Sequence, residues 1–167
     1  STSSAASDVY KRQFLGFIPG SVGETSALMC LIGAGILLWT GIASWRIITS
    51  FFLGGFVMAS ILNAVGGSVY FELPAIHQLM LGGFMFGMVF MATDPVSAAQ
   101  TNTGKVVYGF LCGVLSILIR VFNPAYPEGV MVAILFMNVM APLIDHYVIE
   151  ANINRRKKRL QMKLLKS

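Results

Sequence analysis

The sequence contains few charged residues. Only 11% of its 167 residues are Asp, Glu, Lys or Arg, whereas soluble domains carry about 25%. Hydrophobic residues make up 56% of the chain, and 17 further residues are glycine. A soluble fold of this size buries only about 70% of the surface of its unfolded chain, so much of this apolar content would stay in water. The composition excludes an ordinary soluble enzyme and a disordered chain, and it predicts a membrane protein.

Cysteines and catalytic signatures are also scarce. Cys30 and Cys112 stand inside apolar runs, without a CxxC partner or a histidine at ligand spacing, so we interpret them as packing residues. His77 and His146 belong to different apolar segments. The sequence contains no P-loop, dinucleotide fingerprint or nucleophile triad. Any chemistry is therefore expected to depend on bound cofactors or on carboxylates that handle ions.

Five apolar segments have about the length that a helix needs to cross roughly 30 Å of hydrocarbon. They are residues 26–45, 47–65, 76–93, 106–122 and 129–149. The pairs Gly83/Gly87 and Gly109/Gly113 have the GxxxG spacing that lets helices pack closely. The sequence therefore predicts an all-α integral membrane protein with about five transmembrane helices.

Basic residues are concentrated at the C-terminus. Seven of the twelve lie in the last thirteen positions: Arg155, Arg156, Lys157, Lys158, Arg159, Lys163 and Lys166. This pattern is typical of a juxtamembrane tail beside anionic lipid headgroups and does not indicate a nucleic-acid partner. The tail is expected to be cytoplasmic, as are the connections that hold Arg46 and Lys105, whereas Arg120 is an exception to the rule. The predicted organisation is an outer loop (14–25), a five-helix transmembrane domain (26–150) and a basic cytoplasmic tail (151–167).

Asp94 is the first candidate for chemistry, because it ends the third apolar segment and precedes Pro95. Two interpretations remain open. Asp followed by Pro is typical of an N-cap with proline at the first helical position. A carboxylate at membrane depth is otherwise tolerated mainly beside water, a cation or a partner, which makes Asp94 a candidate for an ion path.

Asp145 is the second candidate. It lies about four residues, roughly 6 Å, inside the cytoplasmic end of the fifth segment. Pro142 frees a backbone carbonyl that, together with the carboxylate, could offer oxygen ligands to a hard cation. Asn138 lies seven residues earlier and hence on the same helical face. The alternative is that Asp145 pairs with His146 or with the basic tail.

The segment GSVGETS at 20–26 precedes the first predicted span. Ser21 and Glu24 have the S-x-x-E spacing of a capping box. The alternative is functional, because glycines and free amides at a helix N-terminus can bind a phosphate or another anion.

Five motifs resemble those of the B-subunit family of sodium-translocating NADH:quinone reductases. They are GSVGETS (20–26), FMATDPVS (90–97), TNTGK (101–105), LIRVFNPAYPEG (118–129) and APLIDH (141–146). The resemblance covers about 14–154 and corresponds to the C-terminal part of a roughly ten-helix protein, so this chain is expected to be about one half of such a protein, with an N-terminal portion missing. Residues 1–13 do not resemble the family and are interpreted as a non-native leader, similar to translated sequencing-adapter read-through.

The resemblance implies a six-subunit, redox-driven sodium pump of the bacterial inner membrane, in which electrons pass from NADH through flavins to ubiquinone. Members of that family carry FMN esterified to a threonine in a Ser-Gly-Ala-Thr motif. This sequence lacks the motif, so the threonine is expected upstream, and most riboflavin and quinone contacts are expected there too. The resemblance assigns Asp94 and Asp145 to the sodium path. It assigns the vicinity of a flavin to Ser21, Gly23, Glu24 and Thr25.

Three alternatives remain open. The D-type component of the Rnf electron-transport complex shares some of these motifs, and it would couple ferredoxin and NAD. A passive small-solute channel is possible because the fold of the family resembles that of urea and ammonium channels. The third alternative is a membrane scaffold without chemistry of its own.

Overall fold

The structure, a computed structural model, describes residues 2–17, 19, 23, 25–66, 75–80, 83–123 and 129–165. The helices are α1 (Thr2–Leu15), α2 (Ala27–Trp39), α3 (Trp45–Val65), α4 (Ala75–Met80), α5 (Phe84–Phe86), a π-helical turn (Gly87–Met91), α6 (Asn102–Phe122) and α7 (Gly129–Leu164). These described residues contain no strand. The predicted all-α membrane fold is confirmed. Helices α3 and α6, and residues Gly129–Met162 of α7, are long and apolar enough to cross a membrane.

Helices α3 and α6 run parallel and pack backbone against backbone. A Cβ atom added at Gly113 of α6 would lie 2.2 Å from the carbonyl oxygen of Phe51, and one at Gly109 would lie 2.7 Å from that of Ile47. Because neither position has room for a side chain, glycine is what allows the two backbones to approach. The predicted close packing at Gly109 and Gly113 is confirmed, and its partner is α3.

Helix α7 runs antiparallel to α6 and is longer than predicted. It begins at Gly129 as expected but continues to Leu164, so the basic tail is part of the helix. Beyond Asp145 it contains no glycine or proline, and six of its residues are Arg or Lys, which favour helix. The predicted span 129–149 thus lies within a longer helix, and the boundary between the transmembrane domain and the tail at residue 150 stays a prediction.

The first and third predicted spans differ from single long helices. Helix α2 has only 13 residues, because the chain turns at Gly41, which has a φ of +74° that favours glycine. The third segment consists of α4, α5 and the π-helical turn, in which the Ala92 N–H donates to the Gly87 carbonyl at 2.8 Å. Gly87 packs tightly against α7, where an added Cβ would lie 2.4 Å from Cγ1 of Val130. Hydropathy alone does not reveal that the α-helical geometry of the third predicted span is interrupted by a π-helical turn.

The basic connections lie at one end of the bundle. Arg46 is in the first turn of α3, Lys105 is in the first turn of α6, and the antiparallel α7 emerges beside them. The Arg46 guanidinium donates to the side-chain oxygen of Asn102, which joins α3 and α6 at this end. We call this end, defined by Arg46, Lys105 and α7 from Asp145 onward, the basic end.

Candidate functional site

The two predicted acids, Asp94 and Asp145, both lie at the basic end. They hold opposite ends of one connecting segment, residues 94–101, which makes up most of the connection between the π-helical turn and α6. Asp94 begins this segment, and Asp145 reaches its end from α7. The structure thus brings the two acids to one segment without a direct hydrogen bond between them.

Asp94 caps a single helical turn. Its Oδ1 accepts the Val96 N–H at 3.3 Å, and its Oδ2 accepts the Ser97 N–H at 3.3 Å and the Ser97 hydroxyl at 2.6 Å. The Ser97 hydroxyl, followed by the Val96 N–H, lowers the pKa of the Asp94 carboxyl below its ordinary value of 3.8. No helix begins at Pro95, since the next one starts at Asn102. The capping interpretation is therefore correct for a turn, and the predicted helix start is wrong.

Asp145 binds the beginning of α6. Its Oδ2 accepts the Gln100 N–H at 2.7 Å, and its Oδ1 accepts the Thr101 N–H at 3.1 Å and the Thr101 hydroxyl at 2.5 Å. A carboxylate at a helix N-terminus is also favoured by the helix dipole. The expected alternative partner, His146, lies instead 4.0 Å from Glu150. Among the described residues, Asp145 therefore fastens α7 to α6, rather than pairing with His146 or the tail.

Gln100 and Thr101 belong to this site but were not predicted from the sequence as site residues. Thr101 carried one usable signal, because threonine directly before an apolar helix is a common N-cap, and its hydroxyl does accept the Gly104 N–H at 3.1 Å. No spacing rule connects this N-cap with Asp145, which is 44 residues away.

A small cavity lies beside the connecting segment. Its volume is about 50 Å³, and its polar lining comes from Ser44, Thr93, Asp94, Gln100 and Lys105. A cavity needs at least about 10–15 Å³ for each water, so this one can hold a few water molecules or a partly hydrated ion. Asp94 lines the cavity, whereas Asp145 does not.

Asn138 lies deeper in the bundle than Asp145. Seven residues of α7 separate them, or about 10 Å along the helix. The side-chain oxygen of Asn138 accepts the hydroxyl of Tyr108, which is fully buried. Pro142 has no N–H to donate to the Asn138 carbonyl. Asn138 therefore offers a backbone oxygen, while its side-chain oxygen already has a partner, Tyr108, that was not predicted from the sequence.

The GSVGETS segment is only partly described. Ser21 and Glu24 lie outside the described residues, whereas Gly23 accepts the Cys30 thiol at its carbonyl oxygen, 3.8 Å away, and Thr25 is half-buried. The N-cap of α2 is Ser26, whose side chain accepts the Met29 N–H at 3.3 Å, so the capping role expected of Ser21 falls to Ser26. The described contacts of this segment supply no donor set for a flavin phosphate.

The chain is similar to several curated proteins that carry one name. The B subunit of the Na(+)-translocating NADH-quinone reductase from Chromohalobacter salexigens is 60% identical over 148 residues. The proteins of the same name from Stutzerimonas stutzeri and Yersinia pestis are 55% and 56% identical over 145 and 148 residues. Each match covers 86–87% of this chain but only 36% of the relative.

The family comparison covers nearly the whole sequence. The NQR2, RnfD, RnfE family matches residues 2–154. This range includes the segment interpreted as a leader, and that boundary stays a prediction. Because the match extends over far more than half of the chain, this membrane protein belongs to the NQR2, RnfD, RnfE family.

Proposed function

We propose that the chain is part of a membrane component of a redox-driven pump that couples NADH oxidation and ubiquinone reduction to outward sodium transport. The observation that carries this proposal is the 60% identity to a protein named as the B subunit of such a reductase. The chain spans about a third of the length of these relatives. It would supply scaffold and ion path rather than the whole activity.

The orientation that we propose has the basic end in the cytoplasm of a bacterium and the protein in the inner membrane. Support comes from the grouping of Arg46, Lys105 and the helical tail at one end of the bundle, since basic residues are retained on the cytoplasmic side. An outward pump collects sodium from that side. The same arrangement brings the tail close to anionic lipid headgroups.

The ion path that we propose runs from the basic end past Asp94 and Asp145 towards Asn138. Carboxylate and carbonyl oxygens suit a hard cation, and the polar cavity beside Asp94 has room for an ion that keeps some of its water. Charged groups inside membrane proteins commonly line ion pathways. Further inward, the Asn138 backbone carbonyl receives no helical hydrogen bond from Pro142, which has no N–H. Its oxygen is therefore a suitable next ligand for the ion.

Cofactors and partners follow from the proposed complex. We expect the other components of a six-subunit reductase, riboflavin, and FMN held covalently by a threonine outside this sequence. Flavins would supply the electron-transfer chemistry. The assignment of Ser21, Gly23, Glu24 and Thr25 to the vicinity of a flavin stays a prediction.

The second candidate is the Rnf type of complex, because the matching family includes RnfD. It would couple ferredoxin and NAD instead of NADH and quinone. The genes next to the one that encodes this chain distinguish the two, since they would encode either the flavin-containing reductase component or iron–sulfur proteins of the Rnf type.

The sodium assignment can be tested in a chimera. Residues 14–154 would replace the matching segment of the Chromohalobacter salexigens protein, in its assembled complex, with Asp145→Ala as the variant. We expect lower sodium-dependent turnover and a half-saturating sodium concentration raised by roughly tenfold, because an anionic ligand is lost. Glu150→Gln, an exposed acid on the same helix, is the matched control. Unchanged sodium dependence in Asp145→Ala would remove Asp145 from the path.

A further inference from the structure

Most of the hydrogen-bonding capacity of the Asp145 carboxylate is already in use. Two backbone N–H groups and the Thr101 hydroxyl donate to its oxygens, at 2.7, 3.1 and 2.5 Å. An ionised carboxylate has about four acceptor sites. A cation that reaches Asp145 in this arrangement therefore finds about one free acceptor site, and it must displace a donor to gain more.

The Thr101 hydroxyl is held in one orientation. Its oxygen accepts the Gly104 N–H at 3.1 Å, and its hydrogen points to Asp145. Thr101 is thus both the N-cap of α6 and a donor to α7. Of the three donors to Asp145, this hydroxyl is the only one that a side-chain substitution can remove without changing the backbone.

Gly104 makes this arrangement possible. A Cβ atom at residue 104 would lie 2.4 Å from Oδ1 of Asp145 and 2.4 Å from the Thr101 hydroxyl oxygen. Real Cβ atoms essentially never come so close to another atom, so a side chain at position 104 would disturb the contact between the Asp145 carboxylate and the Thr101 hydroxyl.

We propose that Thr101 and Gly104 are positioning residues that set the sodium affinity of Asp145. They hold its carboxylate against the first turn of α6, and sodium binds Asp145 in competition with the Thr101 hydroxyl. This inference rests on the sodium path proposed above. Sodium arrival and the release of the Thr101 hydroxyl from Asp145 then become a single coupled event.

Because sodium and the Thr101 hydroxyl compete for Asp145, loss of the hydroxyl is expected to raise the sodium affinity. Removing the Thr101 hydroxyl frees an acceptor site on Asp145, so sodium should bind more tightly and not less. Hydrogen bonds to charged groups are among the stronger ones, although water replaces part of what is lost. We expect Thr101→Val to lower the half-saturating sodium concentration by about threefold to tenfold.

The experiment uses the chimeric complex described above and measures two quantities. One is the sodium dependence of turnover, and the other is equilibrium binding of radioactive sodium without NADH. Thr101→Ser keeps the hydroxyl and should behave as the parent. Thr103→Val changes an exposed threonine two residues away and controls for the substitution itself. A purely structural role of Thr101 would lower the maximal rate and leave sodium binding unchanged.

Gly104→Ala tests the same contact while keeping threonine at position 101. It should also tighten sodium binding, and it covers the case in which Thr101→Val fails to assemble. Gly35→Ala, at a helical position with no atom within 4 Å of the new Cβ, is its control.

Sodium binding that is unchanged or weaker in the assembled variants overturns the inference. If Asp145→Ala is defective while these variants bind as the parent does, the proposed function stands and only the competition fails. If Asp145→Ala also keeps its sodium dependence, both proposals fail.

Discussion

The α3–α6 interface and the basic end hold neighbouring helices together by different means. Along α3 and α6, glycines let two backbones touch, and any added atom meets a main-chain atom that cannot move aside. At the basic end, α7 is attached to α6 by hydrogen bonds to one carboxylate, and water or a cation can take the place of each bond. The first contact is suited to a fixed scaffold, and the second is suited to the sodium-linked contact proposed above.

The largest expected effect is at the glycine interface. Gly113→Ala should destabilise the full chain by about 3 kcal/mol, because its Cβ would lie 2.2 Å from the Phe51 carbonyl oxygen and 2.6 Å from the Gly55 nitrogen. Unfolding of the detergent-solubilised chain, followed by circular dichroism, measures this loss. Gly35→Ala is the control and should be neutral or slightly stabilising, since that position is open. Equal stability of the two variants would mean that the α3–α6 contact is looser than described.

The α3–α6 interface was easier to predict from the sequence than the contact between Asp145 and the beginning of α6. Length and hydropathy locate α3 and α6, and the spacing of Gly109 and Gly113 indicates a packing face, because each of these signals lies within one helix. Within residues 76–93, the π-helical turn packs at Gly87 against Val130 of α7, and this contact with another helix cannot be read from the local sequence. The partner of Asp145, Thr101, is 44 residues distant in the chain. The sequence suggested only partners that are close in the chain, namely His146 and the basic tail.

An intermediate effect is expected at the buried polar pair of α6 and α7. Tyr108→Phe removes the only hydroxyl of this pair and leaves the Asn138 side-chain oxygen without its donor. We expect a loss of about 1–2 kcal/mol in the free energy of unfolding, since water has poor access to a fully buried position. The same unfolding measurement applies. Tyr147→Phe changes a tyrosine that is 63% exposed and should be close to neutral; a loss there as large as in Tyr108→Phe would contradict the assignment.

The smallest effect concerns the other acid, Asp94, and depends on pH. Because the pKa of Asp94 is lowered in the folded protein, its carboxylate contributes stability above its ordinary pKa of 3.8 and loses that contribution as the pH falls through and below this value. Ser97→Ala removes the largest cause of the shift. This variant should be less stable than the parent near neutral pH and should approach it in acid. Ser60→Ala removes a hydroxyl that donates to the Phe56 carbonyl at 2.7 Å, and its loss should be the same at both pH values. If Ser97→Ala followed that pH-independent pattern, the Ser97 hydroxyl would stabilise the turn itself and not the ionised form of the Asp94 carboxyl.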